Sequence, residues 1–258
     1  RILDFFFGGP SGGPRDGGKR AGDPVDVSTG FFYVDKTDMV LPGRLPIVVT
    51  RTYRTNQTNQ GPFGLGTSWP FDVALASPPN GSTDAVILIS PGNRQDYFSR
   101  RSFTTFENST SPSLRGAVFA VDTLTMRFKD GSAWQFDFFG RLQSQTDRNG
   151  NTITVFRDSQ GRVTRIIEPA GRALTVNYTG AGIESITDPI GRQVRYSYDA
   201  LGRLETVTDP AGGVTRYTYD SVNRMVSLTD PRGIAFLANE YDSVGRVVRQ
   251  TQADGGVW

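Results

Sequence analysis

From Phe136 onward the chain keeps returning to one two-part phrase, and this periodicity limits its possible folds more than any other feature. The first part reads FDFFGRL (136–142), RDSQGRV (157–163), YTGAGI (178–183), YDALGRL (198–204), YDSVNRM (219–225) and YDSVGRV (241–247). The second reads TDRNG (146–150), IEPAG (167–171), TDPIG (187–191), TDPAG (208–212), TDPRG (229–233) and TQADG (251–255). The closing glycines Gly150, Gly171, Gly191, Gly212, Gly233 and Gly255 stand 21, 20, 21, 21 and 22 residues apart. Two motifs held at constant offset over six units make this a tandem array.

The letters of one unit describe a hairpin. Leu174, Val176 and Tyr178, then Val194, Tyr196 and Tyr198, then Thr215, Tyr217 and Tyr219 alternate with polar residues, which places them on one face of a strand. Asp199, Asp220 and Asp242 follow such strands, where a carboxylate accepts backbone N–H groups two residues on. Gly202, Asn223 and Gly245 are residue types that tolerate positive φ. The return strand opens with an aliphatic residue (Leu142, Val163, Ile183, Leu204, Met225, Val247), and Ile166, Ile186, Val207 and Leu228 follow three later. A spacing of three breaks strict alternation, so it predicts either a bulge or apolar residues on both faces. Asp-Pro-x-Gly then ends the strand. One hairpin is marginal in water; hairpin added to hairpin buries each apolar row against the next in a quasi-one-dimensional, twisting sheet.

Ahead of the array the texture differs. Residues 8–22 (GGPSGGPRDGGKRAG) are Gly/Pro-rich and aperiodic, as in a linker, and structure is expected to begin near Gly22-Asp23-Pro24. Strand-like runs at Phe31–Val34, Leu45–Tyr53, Val86–Ile89 and Ala117–Val121 are separated by Gly/Pro/Asn breakers, and Lys129-Asp130-Gly131-Ser132 is a hairpin signal. No stretch keeps a 3.6-residue period, so little helix is expected. The expected organisation is a linker over 1–21, a β module over 22–124 and repeats over 125–258. Arg1 and Trp258 are read as ends of an internal piece of a longer protein, with an unpaired, fraying sheet edge near Val257-Trp258.

Composition removes several functions. With no His and no Cys, imidazole-dependent triads, thiolate chemistry, disulfides and most catalytic zinc sites are excluded. The net charge is only +2 and nearly all positive charge is Arg, far from the clustered footprint of a nucleic-acid binder. Arg141, Arg162, Arg203, Arg224 and Arg246 recur at turns, where they are read as partners of sheet-edge carboxylates. No apolar run is long enough for a membrane span, and Ile2–Phe7 is too short for a signal peptide.

YDALGRL (198–204), YDSVGRV (241–247) and the TDPxG turns resemble the bacterial Rhs/YD-repeat family, to which teneurin repeats are also similar. GDPVDVSTGFF (22–32), LPGRLPIVVTRTY (41–53), GPFGLGTSW (61–69) and DRNGNTITVF (147–156) resemble the module before such repeats and the way they begin. Arg157 in place of Tyr, Thr179 in place of Asp, and Asn223 in place of Gly depart from the pattern. The resemblance covers residues 22–258. It implies an all-β spiralling sheet that closes into a hollow shell, enclosing a C-terminal toxin in bacterial members and serving adhesion in teneurins.

The same resemblance raises an autoproteolytic reading of Asp188-Pro189, Asp209-Pro210 and Asp230-Pro231. All three fall in phase with the repeat, so they are assigned to turns, and any cleavage module is expected beyond Trp258. Asp147–Asn151 lacks the twelve-residue calcium-loop pattern. Trp69 and Trp134 are read as packing residues. The function expected is a non-enzymatic encapsulating scaffold of a polymorphic toxin or secreted effector, with no catalytic, cofactor or metal residues. Its partners would be its own C-terminal cargo and secretion-apparatus proteins, in a secreted or cell-envelope setting. The competing reading is a surface adhesion protein whose tyrosine rows bind carbohydrate.

Overall fold

The computed structural model describes residues 20–21, 25–26 and 28–257; residues 1–19 of the linker expected over 1–21, Gly22–Pro24, Val27 and Trp258 lie outside the described residues, while Arg20 and Ala21, at the end of that expected linker, form a short strand. Every regular element among them is a β-strand. Arg20–Ala21 pairs antiparallel with Val25–Asp26. The chain divides into two compact units, one of Val40–Ile47 with Pro70–Thr175, the other holding Val48–Trp69 and the segments before Val40 and after Thr175.

In the first of these units an antiparallel ladder begins at Ala74–Ala76, Ala85–Ser90 and Arg94–Arg100. It continues through Thr105–Glu107, Val118–Ala120, Thr125–Arg127 and Ala133–Phe136. Leu142–Thr146, Thr152–Arg157, Val163–Ile167 and the start of Ala173–Tyr178 follow. Register explains its core. Phe106, Phe119, Met126, Trp134, Gln145 and Ile153 stand opposite one another on six successive strands, forming one buried row across the sheet. Facing side chains at this spacing are what stabilise a sheet. Phe119 and Phe136 meet edge to face at 6.2 Å. The Lys129–Ser132 signal makes the expected turn: the Phe128 amide donates to the Ser132 carbonyl, and Gly131 sits at φ 89°.

The other unit carries the later repeats, Ile183–Thr187, Gln193–Tyr198, Leu204–Thr208, Val214–Tyr219, Met225–Thr229, Ala235–Tyr241 and Val247–Gln252, each antiparallel to the next. It also holds most of a three-stranded sheet in the order Tyr33–Leu41, Ile47–Arg54, Thr67–Ser68.

The spacing of three resolves as a bulge. Tyr198 faces Leu204 while Ser197 faces Thr206, leaving Glu205 as the extra residue. The same happens at Gln143, Thr164, Val226 and Val248. The bulge returns Leu204 and Val207 to one buried face although they are three apart. Asn223, where the other first turns have Gly, adopts φ 71° beside 74° at Gly202, a conformation Asn accepts more readily than other side chains.

Candidate functional site

The chemistry of this chain is concentrated in two arrangements, the turns and a buried polar anchor. In each first turn that has an Asp, its carboxylate closes a small circuit. Asp199 Oδ1 accepts the amides of Leu201 (2.9 Å) and Arg203 (3.0 Å), and its Oδ2 accepts Arg203 Nε at 2.6 Å. Asp137, Asp158, Asp220 and Asp242 repeat this with Arg141, Arg162, Arg224 and Arg246. The second turns use it too, as Asp147–Asn151, Glu168–Arg172 and Asp188–Arg192, while Asp230 takes Arg232. Burial disfavours the ionised Asp199 and Asp220, but the turn amides and the guanidinium outweigh it and hold both carboxyls below the ordinary value of 3.8.

The same arginines link neighbouring repeats. Arg203 Nη1 donates to the Asp220 carbonyl at 3.1 Å, and its guanidinium lies 5.0 Å from the centre of the Tyr219 ring. Arg224 repeats this one unit on, against the Asp242 carbonyl and the Tyr241 ring. In the other direction the tyrosine hydroxyl reaches back: Tyr198 to the Ile183 carbonyl (2.6 Å), Tyr219 to Leu204 (2.9 Å) and Tyr241 to Met225. Arg157, which stands at a tyrosine position, donates to the Leu142 carbonyl at 3.2 Å. It therefore supplies the donor that a tyrosine supplies elsewhere. Thr179, in place of Asp, accepts only the Ala181 amide, at 3.3 Å.

The anchor forms where the three-stranded sheet meets the tyrosine face. Along Ile47–Arg54 every second residue is buried, so Ile47, Val49, Arg51 and Tyr53 form one inward row. Arg51 is 1% exposed and binds Asp38 with both Nε (3.1 Å) and Nη2 (3.2 Å). Arg51 Nη2 also donates to the Tyr217 hydroxyl at 2.9 Å, and the Tyr196 hydroxyl donates to Asp38 Oδ2 at 3.0 Å. A buried ion pair is tolerable only when its remaining donors and acceptors are met in this way. Burial pushes the Arg51 guanidinium towards losing its proton, and Asp38 with the two phenols reverses this, leaving it well above its ordinary value. Burial, reinforced by Asp38, drives the Tyr196 phenol well up, and burial raises Tyr217 as well.

Aromatic contacts surround the anchor. The Tyr53 hydroxyl accepts the Met225 amide at 3.0 Å, and the Phe63 ring lies 4.9 Å from that of Tyr196. Gln60 Nε2 donates to the carbonyls of Ala181 (2.8 Å) and Gly202 (3.3 Å).

The residues singled out from sequence are placed as follows. Asp188, Asp209 and Asp230 each open a turn, and each accepts backbone amides two and four residues on. In the Asp147–Asn151 turn the carboxylate is occupied by Asn149 and Asn151. Trp69 and Trp134 are buried. The tyrosine rows offered for sugar stacking are occupied by packing, with Tyr196 and Tyr217 buried. The anchor itself was missed, though one signal was present: an arginine on the inward, otherwise apolar row of Ile47–Arg54.

Comparison with known proteins gives matches on both parts of the chain. Residues 22–98 match the model described as Domain of unknown function (DUF6531), and residues 136–173, 178–214 and 205–235 match RHS Repeat. Probable deoxyribonuclease RhsB of Dickeya dadantii (strain 3937) is 27% identical over 70% of this chain and 13% of its own length. Double-stranded DNA deaminase toxin A of Burkholderia cenocepacia (strain H111) is 25% identical over 79% of this chain and 15% of its own. The chain thus spans roughly a seventh of these relatives. Among solved structures, TcdB2-TccC3 without its hypervariable C-terminal region aligns with 80% of this chain and 11% of its own at TM-score 0.39 and 12% identity. With hairpin units in phase over its C-terminal half and the module before them matched as well, the chain belongs to the bacterial Rhs/YD-repeat family.

Proposed function

We propose that this chain is a non-enzymatic part of an encapsulating wall, a β module over 22–124 followed by repeats over 125–258, around a C-terminal toxin carried by the same polypeptide. The observation that carries this reading is the internal use of the array's polar groups. Turn carboxylates hold arginines within a repeat, and arginines and tyrosine hydroxyls bind backbone carbonyls of the neighbouring repeat, which suits a structural sheet. The family supports it, as do relatives whose names describe a deoxyribonuclease and a DNA deaminase toxin. The anchor would fix the module on the tyrosine face and set where the wall begins. Cargo, secretion machinery and a secreted or cell-envelope location belong to this proposal. Among the described residues no helix is long and apolar enough to cross a membrane.

Limited proteolysis of the full-length protein tests it. The segment after the repeats should resist protease until the wall is opened by denaturant, and should become accessible together with the repeats. Cleavage of that segment at the rate of its isolated form would end the proposal.

A further inference from the structure

One turn of the array leaves its clamp open. Asp209 Oδ1 accepts the amides of Ala211 (2.8 Å) and Gly213 (2.9 Å), as in its counterparts. At the equivalent position of the other described repeat turns, the Asp or Glu also binds an arginine or asparagine side chain, but the residue four after Asp209 is Gly213, and among the described residues no cation pairs with its Oδ2. A Cβ on Gly213 would lie 2.6 Å from that oxygen and 3.2 Å from Pro231 Cγ, so the space beside the carboxylate is closed to a side chain from this position.

Asp209 instead lines a cavity of about 290 Å³ with Val194, Val207, Thr215, Asp230 and Phe236. That volume is at the lower end for ligand sites and suits a single long side chain. Val194 and Val207 are buried and apolar, and Phe236 adds an aromatic wall. Of the cations on its wall, Arg51 is committed to Asp38 and Tyr217, and Lys36 Nζ lies over the Phe236 ring, 4.9 Å from its centre.

We propose that this cavity binds an arginine side chain of a peptide segment, its guanidinium on Asp209 and its aliphatic stem on Val194, Val207 and Phe236. The chain itself shows the chemistry: at the equivalent oxygen Asp199, Asp220 and Asp242 each hold a guanidinium through Nε. A planar guanidinium on an apolar stem matches a carboxylate beside an apolar wall better than a compact ammonium does. The inference stands apart from the encapsulation reading, since it requires only this cavity.

The test is NMR or calorimetric titration of the full chain with the blocked peptide acetyl-Gly-Arg-Gly-amide, its citrulline counterpart, and free L-arginine. Saturable binding of the arginine peptide is expected. It should weaken at least about tenfold with citrulline, as expected when a charge-assisted hydrogen bond is lost. Asp209→Asn, which keeps the amide-accepting oxygen, should weaken it similarly. Equal binding of arginine and citrulline peptides, or none of either, overturns the proposal even if the variant fails to fold. Free arginine binding as tightly as the peptide overturns the peptide source in favour of a small-molecule site.

Discussion

At the scale of single residues, Arg51 shows how an ionic group becomes structural. It lies at an inward position between Val49 and Tyr53, with its charge met by Asp38 and a further Nη2 donor taken by Tyr217. Removing one partner leaves the other charged and dry. Arg51→Ala should therefore cost about 3–5 kcal/mol in urea unfolding, whereas the paired replacement Asp38→Leu with Arg51→Met should be close to neutral. A small loss in the single variant would mean that water reaches Asp38. Sequence showed the basic residue but not its partner, because Asp38 and Arg51 meet across strands although thirteen positions apart in the chain. The tyrosine hydroxyls were hidden for the same reason: alternation gives the face of Tyr196 and Tyr217, not what the far end of the ring touches.

At the scale of the hairpin, local chemistry sufficed. The Asx turns, the positive φ at Gly202 and Asn223 and the strands that flank them all follow from neighbours within five residues. The bulge was legible as one of two alternatives, and register decided it. What sequence did not show was reach between hairpins, since the Arg203 and Tyr219 contacts cross a repeat boundary. The turns also determine acid behaviour. Asp158, Asp188, Asp199 and Asp220 are held below the ordinary 3.8, so their folded form binds protons less readily than the unfolded chain. The stability they contribute is complete above that value and is lost as pH falls through the depressed folded ones. Thermal melts should thus show little pH dependence from these groups between about pH 8 and 5, where their contribution is complete, and a steep fall below about pH 4. In Asp199→Asn with Asp220→Asn the acid slope should be shallower; an unchanged slope would assign it to other groups.

At the scale of the whole chain, the all-β class and the repeat phase were evident from composition and spacing, and the family followed from them. The division into two compact units was not, because it cuts through the strands Tyr33–Leu41 and Ala173–Tyr178 where the sequence shows no break. Linkers announce themselves by composition; a boundary inside a strand does not.

The clamps that join neighbouring repeats give the array a direction. Arg203 reaches forward to Asp220 and Arg224 to Asp242, while Tyr219 and Tyr241 reach back to Leu204 and Met225. Each hairpin is thus secured by the one after it, so the strip should come apart like a zipper, one tooth at a time. Pulled from its C-terminal side in optical tweezers, it should lengthen in steps of one unit, roughly 70 Å of chain each. A single all-or-none rip would refute this. Peeling in order would let a narrow passage take such a wall one hairpin at a time, with the remainder still folded behind it.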